Sequence, residues 1–448
     1  MLKRILIYFL ISIITIILTI SFILLILRKD KIIDKSKTVY IDKIENGYQL
    51  IRNKNSFIIQ GASGDSHWQE LAEIGGNTIR LYDTINLANN LDQAQKFGLA
   101  VIVDIPIPSY NKNYNVYEDQ NHNDLLKKKI STLINKHKNH PALLIWNLGN
   151  EINYPLTFFE NKFIVTFNEL IDIIHDSDAN HPIGTSIPAF SKNEVASIHY
   201  HSPDLDILSF NTFGNIKRLS LFKKISWIYG QKPYYLSEWG HDGPWEAMST
   251  YWGAPIEPTS TKKIEQLGMR YKIQDKLNGL GSLVFYWGQK QECTHTWFSL
   301  FGDNDTRSEL INELEYIWKG IDKKPNNIGL DYMLLDGKGA ASNIILTPNQ
   351  TIIAEIIHSK ETGNNEKIAW EIYQEGWHRD GKSKEKRPTK VNTSFKDLEK
   401  NKTIFVTPSK EGPYRIFAYI YDQNGRYATT NIPFYVLNDK SKPYQASK

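Results

Sequence analysis

The chain has 448 residues, with 53 Lys and Arg against 49 Asp and Glu and a net charge of +4. The lysines are scattered among acids without a basic block, which excludes a nucleic-acid-binding patch, and the single cysteine, Cys293, excludes an internal disulfide and a cysteine-based zinc cluster. The length is too great for one small domain and implies two.

At the N-terminus, Met1-Leu2-Lys3-Arg4 precedes the uncharged, overwhelmingly apolar run Ile5 to Leu27, closed by Arg28-Lys29-Asp30-Lys31. A run of 23 such residues is long enough to span a bilayer, and no small-x-small cleavage site follows it, so residues 1–29 are expected to be an uncleaved transmembrane anchor. Two basic residues precede the span and five lie between it and Lys37, which by the positive-inside rule would keep the bulk of the chain in the cytoplasm. A short basic start followed by an apolar run is how an export signal begins, and on that ground the chain is expected to be extracytoplasmic. Residues 30–54 read as a polar tether with one strand around Thr38 to Ile41.

From Ser56 onward, short apolar strands alternate with longer amphipathic segments. The strands are Phe57 to Gly61, Thr78 to Tyr82, Ala100 to Asp104, Leu143 to Trp146, Ile183 to Ile187, Ile207 to Asn211, Tyr234 to Glu238 and Ser282 to Trp287. Apolar residues at three- and four-residue spacing predict helices over Asp65 to Ile74, Ala88 to Phe97, Asn123 to His137, Phe159 to His175, Lys217 to Tyr229 and Thr261 to Leu277, with a short one near Ser191 to Ala196. Eight strands with helices between them make a (β/α)₈ TIM barrel over residues 55–322. A doubly wound sheet is the alternative, but Gly61-Ala62-Ser63-Gly64 after the first strand is neither GxGxxG nor a P-loop.

Barrels place chemistry where strands end. The fourth strand runs Leu143-Leu144-Ile145-Trp146-Asn147-Leu148-Gly149-Asn150-Glu151, an apolar run that breaks into polar residues and ends on a carboxylate. The seventh, Tyr234-Tyr235-Leu236-Ser237-Glu238-Trp239-Gly240, ends the same way, 87 residues later. Two carboxylates facing across one cleft are the apparatus of glycosidic bond hydrolysis, and Glu151 and Glu238 are the expected pair. In this reading Glu151 stays protonated to donate to the leaving oxygen, helped by Trp146 or by the charge on Glu238, and Glu238 is ionised to attack. Arg80, within the second strand, would hold Glu238 ionised, with a structural ion pair as its other reading. Asn150 would bond the sugar hydroxyl next to the reacting carbon, and Trp287 would floor that subsite. Asp104, His199, Asn211, Trp239 and Trp245 are secondary substrate-site candidates. Six tryptophans, 146, 239, 245, 252, 287 and 297, stand at or just after strand ends, where flat rings suit sugar faces. His199-Tyr200-His201 lacks a third ligand, so no metal and no cofactor is expected. There is no GxSxG elbow to support a serine hydrolase.

These residues resemble the clan of (β/α)₈ retaining glycoside hydrolases with catalytic glutamates after strands four and seven. Trp146-Asn147-Leu148-Gly149-Asn150-Glu151 is similar to the acid/base signature of family two, the β-galactosidase and β-glucuronidase family, and Glu238-Trp239-Gly240-His241-Asp242-Gly243-Pro244-Trp245-Glu246 to a nucleophile segment of related bacterial proteins. Gly253-Ala254-Pro255-Ile256-Glu257-Pro258-Thr259-Ser260 and Phe285-Tyr286-Trp287-Gly288-Gln289-Lys290-Gln291-Glu292 belong with them, and the resemblance covers about residues 55–320. With the expected anchor, it implies a membrane-anchored retaining β-glycosidase or transglycosidase acting on an extracytoplasmic poly- or oligosaccharide. Two features depart from the pattern. Only a short tether stands where family-two enzymes carry sugar-binding and immunoglobulin-like domains, and Phe213 stands where the clan places a tyrosine that contacts the nucleophile. The second departure favours a rival reading, a catalytically silent carbohydrate-binding or scaffold protein that kept the barrel.

After a linker around Lys323 to Asn327 the pattern changes to period-two strands: Thr351 to Ile357, Ile368 to Tyr373, Thr403 to Val406, Tyr414 to Tyr421 and, past the turn Asp422-Gln423-Asn424-Gly425, Tyr427 to Val436. Residues 328–440 are expected to form an immunoglobulin- or fibronectin-like sandwich, with Trp377 to Lys390 as an exposed loop.

Overall fold

The computed structural model describes residues 2–26, 34–113, 115–229, 232–276, 279–359, 366–379 and 385–438. At its centre eight parallel strands close into a barrel: β1 (Ile59–Gly64), β2 (Thr78–Leu81), β3 (Ala100–Ile105), β4 (Leu143–Asn150), β5 (Ile183–Pro188), β6 (Ile207–Thr212), β7 (Tyr234–Trp239) and β8 (Gly281–Trp287). They pair in sequence order, and β8 closes on β1 with Leu283 opposite Gly61 and Val284 opposite Ala62. Runs such as Ala-Val-Ile-Val in β3 are buried throughout, as strands covered on both faces must be. β4 runs four residues beyond the expected Trp146, because Asn147 and Asn150 turn their amides to partners inside the barrel mouth, where polarity does not signal a loop.

Helices cover the outside of the barrel, among them Leu87–Lys96, Gln120–His137, Lys162–Ser177, Leu219–Tyr229 and Ser260–Asp275. Asp119, Asn161 and Thr259 cap three of these by accepting from first-turn N–H groups. The helix after β5 is longer than expected, Lys192–His201, and an amphipathic helix not read from the sequence, Leu310–Lys319, follows β8.

The tether reading of residues 30–54 needs correction. Val39–Ile44, Gly47–Arg52 and Asn55–Phe57 form a three-stranded antiparallel sheet. It lies across the N-terminal end of the barrel, where the Val39 N–H donates to the Asn180 carbonyl and Arg52 to that of Pro141. Val39 and Leu50 join Ile59, Ala100, Ile102, Leu144, Tyr235 and Leu283 in one apolar core, so the sheet plugs the barrel floor. Its residues looked like a tether because only one face is apolar and the strands are short.

A second correction concerns the membrane. The first helix is Leu2–Ile26, and its side chains are described for residues 3–19. Among the described residues no helix is long and apolar enough to cross a membrane; a span needs about 20 apolar residues. The expected transmembrane anchor is therefore not supported, nor is membrane association through it, and the basic run 28–31 lies outside the described residues.

C-terminal to the barrel, two sheets enclose a core that includes Leu330, Ile352, Ile372, Phe405, Ile416 and Phe434. One sheet is ordered Leu330–Leu335, Thr351–His358, Lys402–Val406, Phe395–Glu399, and the other pairs Lys367–Gln374, Gly412–Tyr421 and Arg426–Val436. The short strand Arg307–Ser308, which follows β8, also pairs with Arg426–Val436, so barrel and sandwich share a sheet edge. A buried polar network ties them further. Glu257 accepts from Lys263 (2.6 Å), Thr294 (2.6 Å) and Asn431 (2.7 Å), while Arg415 donates to Glu375 (2.5 Å), Asn431 (2.6 Å) and the Pro255 carbonyl (2.6 Å).

Candidate active site

The last residues of β4 turn sharply. Gly149 has φ 79°, and a Cβ there would come within 2.4 Å of Ile152, so only glycine fits. Glu151 itself has φ 50°, and its N–H is fixed on the Ser186 carbonyl at 2.8 Å. A left-handed conformation costs a non-glycine residue about 1–2 kcal/mol. Here it lifts the Glu151 carboxyl out of the strand into the open mouth.

β7 delivers Glu238 differently. Its pairing with β6 shifts register between Leu236 and Glu238, and such a bulge re-aims a side chain. Glu238 is 7% exposed and lies inside the mouth. Its Oε1 accepts from Arg80 Nη1 (3.1 Å) and from the Tyr82 hydroxyl (2.9 Å). Arg80, fully buried, is gripped by both oxygens of Asp104 (Nε 3.0 Å, Nη2 2.7 Å) and stacks its guanidinium 4.7 Å from the Tyr82 ring centre. Asp104 is held in turn by Asn147 Nδ2 at 2.9 Å.

One chain of hydrogen bonds joins the two carboxyls. Asn211 Nδ2 donates to Glu151 Oε1 (2.9 Å) and to Asn150 Oδ1 (3.0 Å), while its Oδ1 accepts from Ser237 Oγ (2.8 Å) and, at 3.5 Å, from Arg80 Nη1. Asn150 Oδ1 also accepts from Arg80 Nη2 (2.8 Å). Both glutamates, with Asn150, Asn211, Tyr82, Phe213, Trp245 and Lys290, line a cavity of about 510 Å³.

Burial pushes the Glu238 carboxyl up to about 7; Arg80 opposes the rise, Glu151 adds to it and the Tyr82 hydrogen bond works against it. Glu238 is the enclosed carboxyl of the pair, whereas Glu151 is exposed.

Of the residues singled out from sequence, Glu151, Glu238, Asn150, Asn211 and Trp245 meet at the cavity, and Arg80 and Asp104 stand directly behind it. The others lie elsewhere. Trp287 is fully buried, with its ring edge-on to Phe301 and its N–H on the His67 carbonyl; Trp239 is fully buried beside Tyr271; His199 sits on the helix Lys192–His201 outside the cavity lining. Trp146 and Trp297 are fully buried as well, so sugar-facing aromatic surface is confined to fewer rings than strand-end position suggests. Trp146 spends its N–H on Asp178, well away from Glu151's role. Tyr82 was missed. Its signal was the spacing Arg80-x-Tyr82, since two residues along a strand share a face; the hydroxyl absent at Phe213 comes from the end of β2 instead.

Residues 68–254 match the model of the glycosyl hydrolases family 2, TIM barrel domain. No match was found among curated proteins. Similar solved structures include a Bacteroides uniformis β-glucuronidase 2 covalently bound to cyclophellitol-6-carboxylate aziridine (13% identity, 89% of this chain and 48% of that one, TM-score 0.49). The β-D-glucuronidase for Dictyoglomus thermophilum shares 19% identity over 65% of this chain and 55% of its own, with TM-score 0.49. The endo-β-1,4-mannanase from Thermotoga petrophila shares 13% over 86% and 99%, with TM-score 0.42. The chain thus spans about half the length of the two β-glucuronidases.

Proposed function

We propose, from the match of residues 68–254 to the glycosyl hydrolases family 2, TIM barrel domain, that the chain is a glycoside hydrolase that cleaves β-glycosidic bonds by double displacement with retention. Glu238 is the nucleophile and Glu151 the acid/base. The observation that carries this reading is the hydrogen-bond chain that puts both carboxyls on one cavity with different surroundings, Glu238 enclosed by Arg80 and Tyr82, Glu151 open and held by Asn211.

In the first step a Glu238 oxygen bonds to the anomeric carbon as the glycosidic C–O bond breaks, and Glu151 gives its proton to the departing oxygen. The Asn150 amide donates to the neighbouring sugar hydroxyl, a contact that strengthens as positive charge builds on the ring. Arg80 and Tyr82 favour the ionised form of the attacking carboxylate against the effect of burial and aim it. In the second step Glu151, now a base, takes a proton from water or from an acceptor hydroxyl whose oxygen displaces Glu238, restoring both groups. The silent-scaffold alternative draws on Phe213; the Tyr82 hydroxyl that Glu238 accepts from, just after β2, supports the active reading instead. Proton NMR of the first-formed product tests the reading: the β-anomer is expected before mutarotation, and initial appearance of the α-anomer overturns it.

A further inference from the structure

The loop after β7 continues past the cavity toward the sandwich and displays aromatic surface that no described residue covers. Trp245 forms part of the cavity wall and is 60% exposed. Its ring stands nearly perpendicular to Phe213, 5.3 Å between centres, and lies over Gly243, where a Cβ would come within 2.4 Å of the indole. The indole is therefore fixed from beneath and open toward the cleft. Further along the same loop Tyr251 is 93% exposed. It sits at the tip of a turn closed by Gly253 N–H to the Thr250 carbonyl and Thr250 N–H to that of Ala254, both 2.9 Å, and its own N–H donates to Asn343 Oδ1 of the sandwich at 2.6 Å. A backbone pinned at both ends thus holds out a large ring with no packing role, and the six intervening peptide links keep its Cα within about 22 Å of that of Trp245.

We infer that this loop is a ledge for a sugar chain extending beyond the reacting unit, with Trp245 under the unit next to the cleavage point and Tyr251 under one farther out. The inference rests on the cleft assigned above and adds that the substrate is an oligo- or polysaccharide, not a single glycoside. Two observations favour a sugar chain over a protein partner. Trp245 is itself part of the wall of the catalytic cavity and Tyr251 stands farther along the same loop, and both are exposed rings whose flat apolar faces suit the C–H faces of pyranose rings.

The test titrates the full chain carrying Glu151→Gln with β-1,4- and β-1,3-linked gluco-, manno- and galacto-oligosaccharides of one to six units, followed by calorimetry. For at least one series Kd is expected to tighten tenfold or more from one unit to four. Tyr251→Ala in the same background is expected to lose most of that gain, and Tyr251→Trp to keep it. A Kd independent of length in every series, no binding by any member, or an undiminished length dependence in Tyr251→Ala overturns the ledge. Covalent labelling of wild-type Glu238 by a 2-fluoro glycoside, run alongside, reports on the retaining mechanism separately, so failure of one is distinguishable from failure of the other.

Discussion

Tyr82 donates to the same Glu238 oxygen that Arg80 contacts, and the two act together because the guanidinium also lies over the phenol ring. Removing the hydroxyl leaves Arg80 as the one described donor opposing the effect of burial on Glu238. Tyr82→Phe is expected to lower kcat by about 10- to 100-fold, about the value of one charge-assisted hydrogen bond, with little change in KM for an aryl glycoside. The sign of the accompanying pH effect is fixed. The phenol stabilises the ionised carboxylate, so its loss raises the Glu238 pKa and moves the acidic limb of kcat/KM from near 7 to higher pH. An unchanged limb would show that Tyr82 is packing alone. Glu151→Gln has the opposite sign, because the Glu151 charge adds to the rise. With an activated aryl leaving group that needs no proton, its acidic limb is expected to move down. Glu238→Gln should reduce turnover by at least about a thousandfold for every substrate while the circular dichroism spectrum stays native.

At the scale of elements, the buried network between the β7–β8 region and the sandwich gives the C-terminal module a mechanical role. Glu257 is fully enclosed; burial opposes its ionisation, yet Lys263, Thr294 and Arg415 hold its carboxyl below the usual range. Arg415→Ala leaves Glu375 and Asn431 without their cation, a change that costs about 3–5 kcal/mol when a buried pair is broken. The urea midpoint is expected to fall accordingly; a shift under 1 kcal/mol would mean that water replaces the guanidinium. The Glu257 contribution is present above the ordinary glutamate pKa and is lost as pH falls through its lower folded value, so the penalty of Glu257→Gln should shrink in acid.

For the molecule as a whole, the barrel was legible because buried parallel strands read as apolar runs bounded by turn residues, and seven of the eight expected strands begin within a residue of the observed start. β1 is the exception, since Phe57 ends the floor sheet before the chain enters the barrel at Ile59. Two of the three strands of that sheet and the helix Leu310–Lys319 were missed for different reasons, short half-polar strands in one case and a helix beyond the last expected strand in the other. At the site, strand-end glutamates and Arg80 were legible from position alone. Trp287 and Trp239 were not, because inward and outward faces at a strand end cannot be told apart without the bulges that set them. The enclosure of Glu238 was also hidden, since burial is a property of the closed barrel and of no single segment.

The central claim is that Glu238 forms a covalent bond to the sugar. Incubating the full chain with a panel of activated 2-fluoro glycosides, followed by intact mass and peptide mapping, tests it most directly. A stoichiometric adduct is expected on the peptide carrying Glu238, absent in Glu238→Gln. An adduct on another residue, or turnover of the parent aryl glycoside with no adduct from its 2-fluoro counterpart, would contradict it.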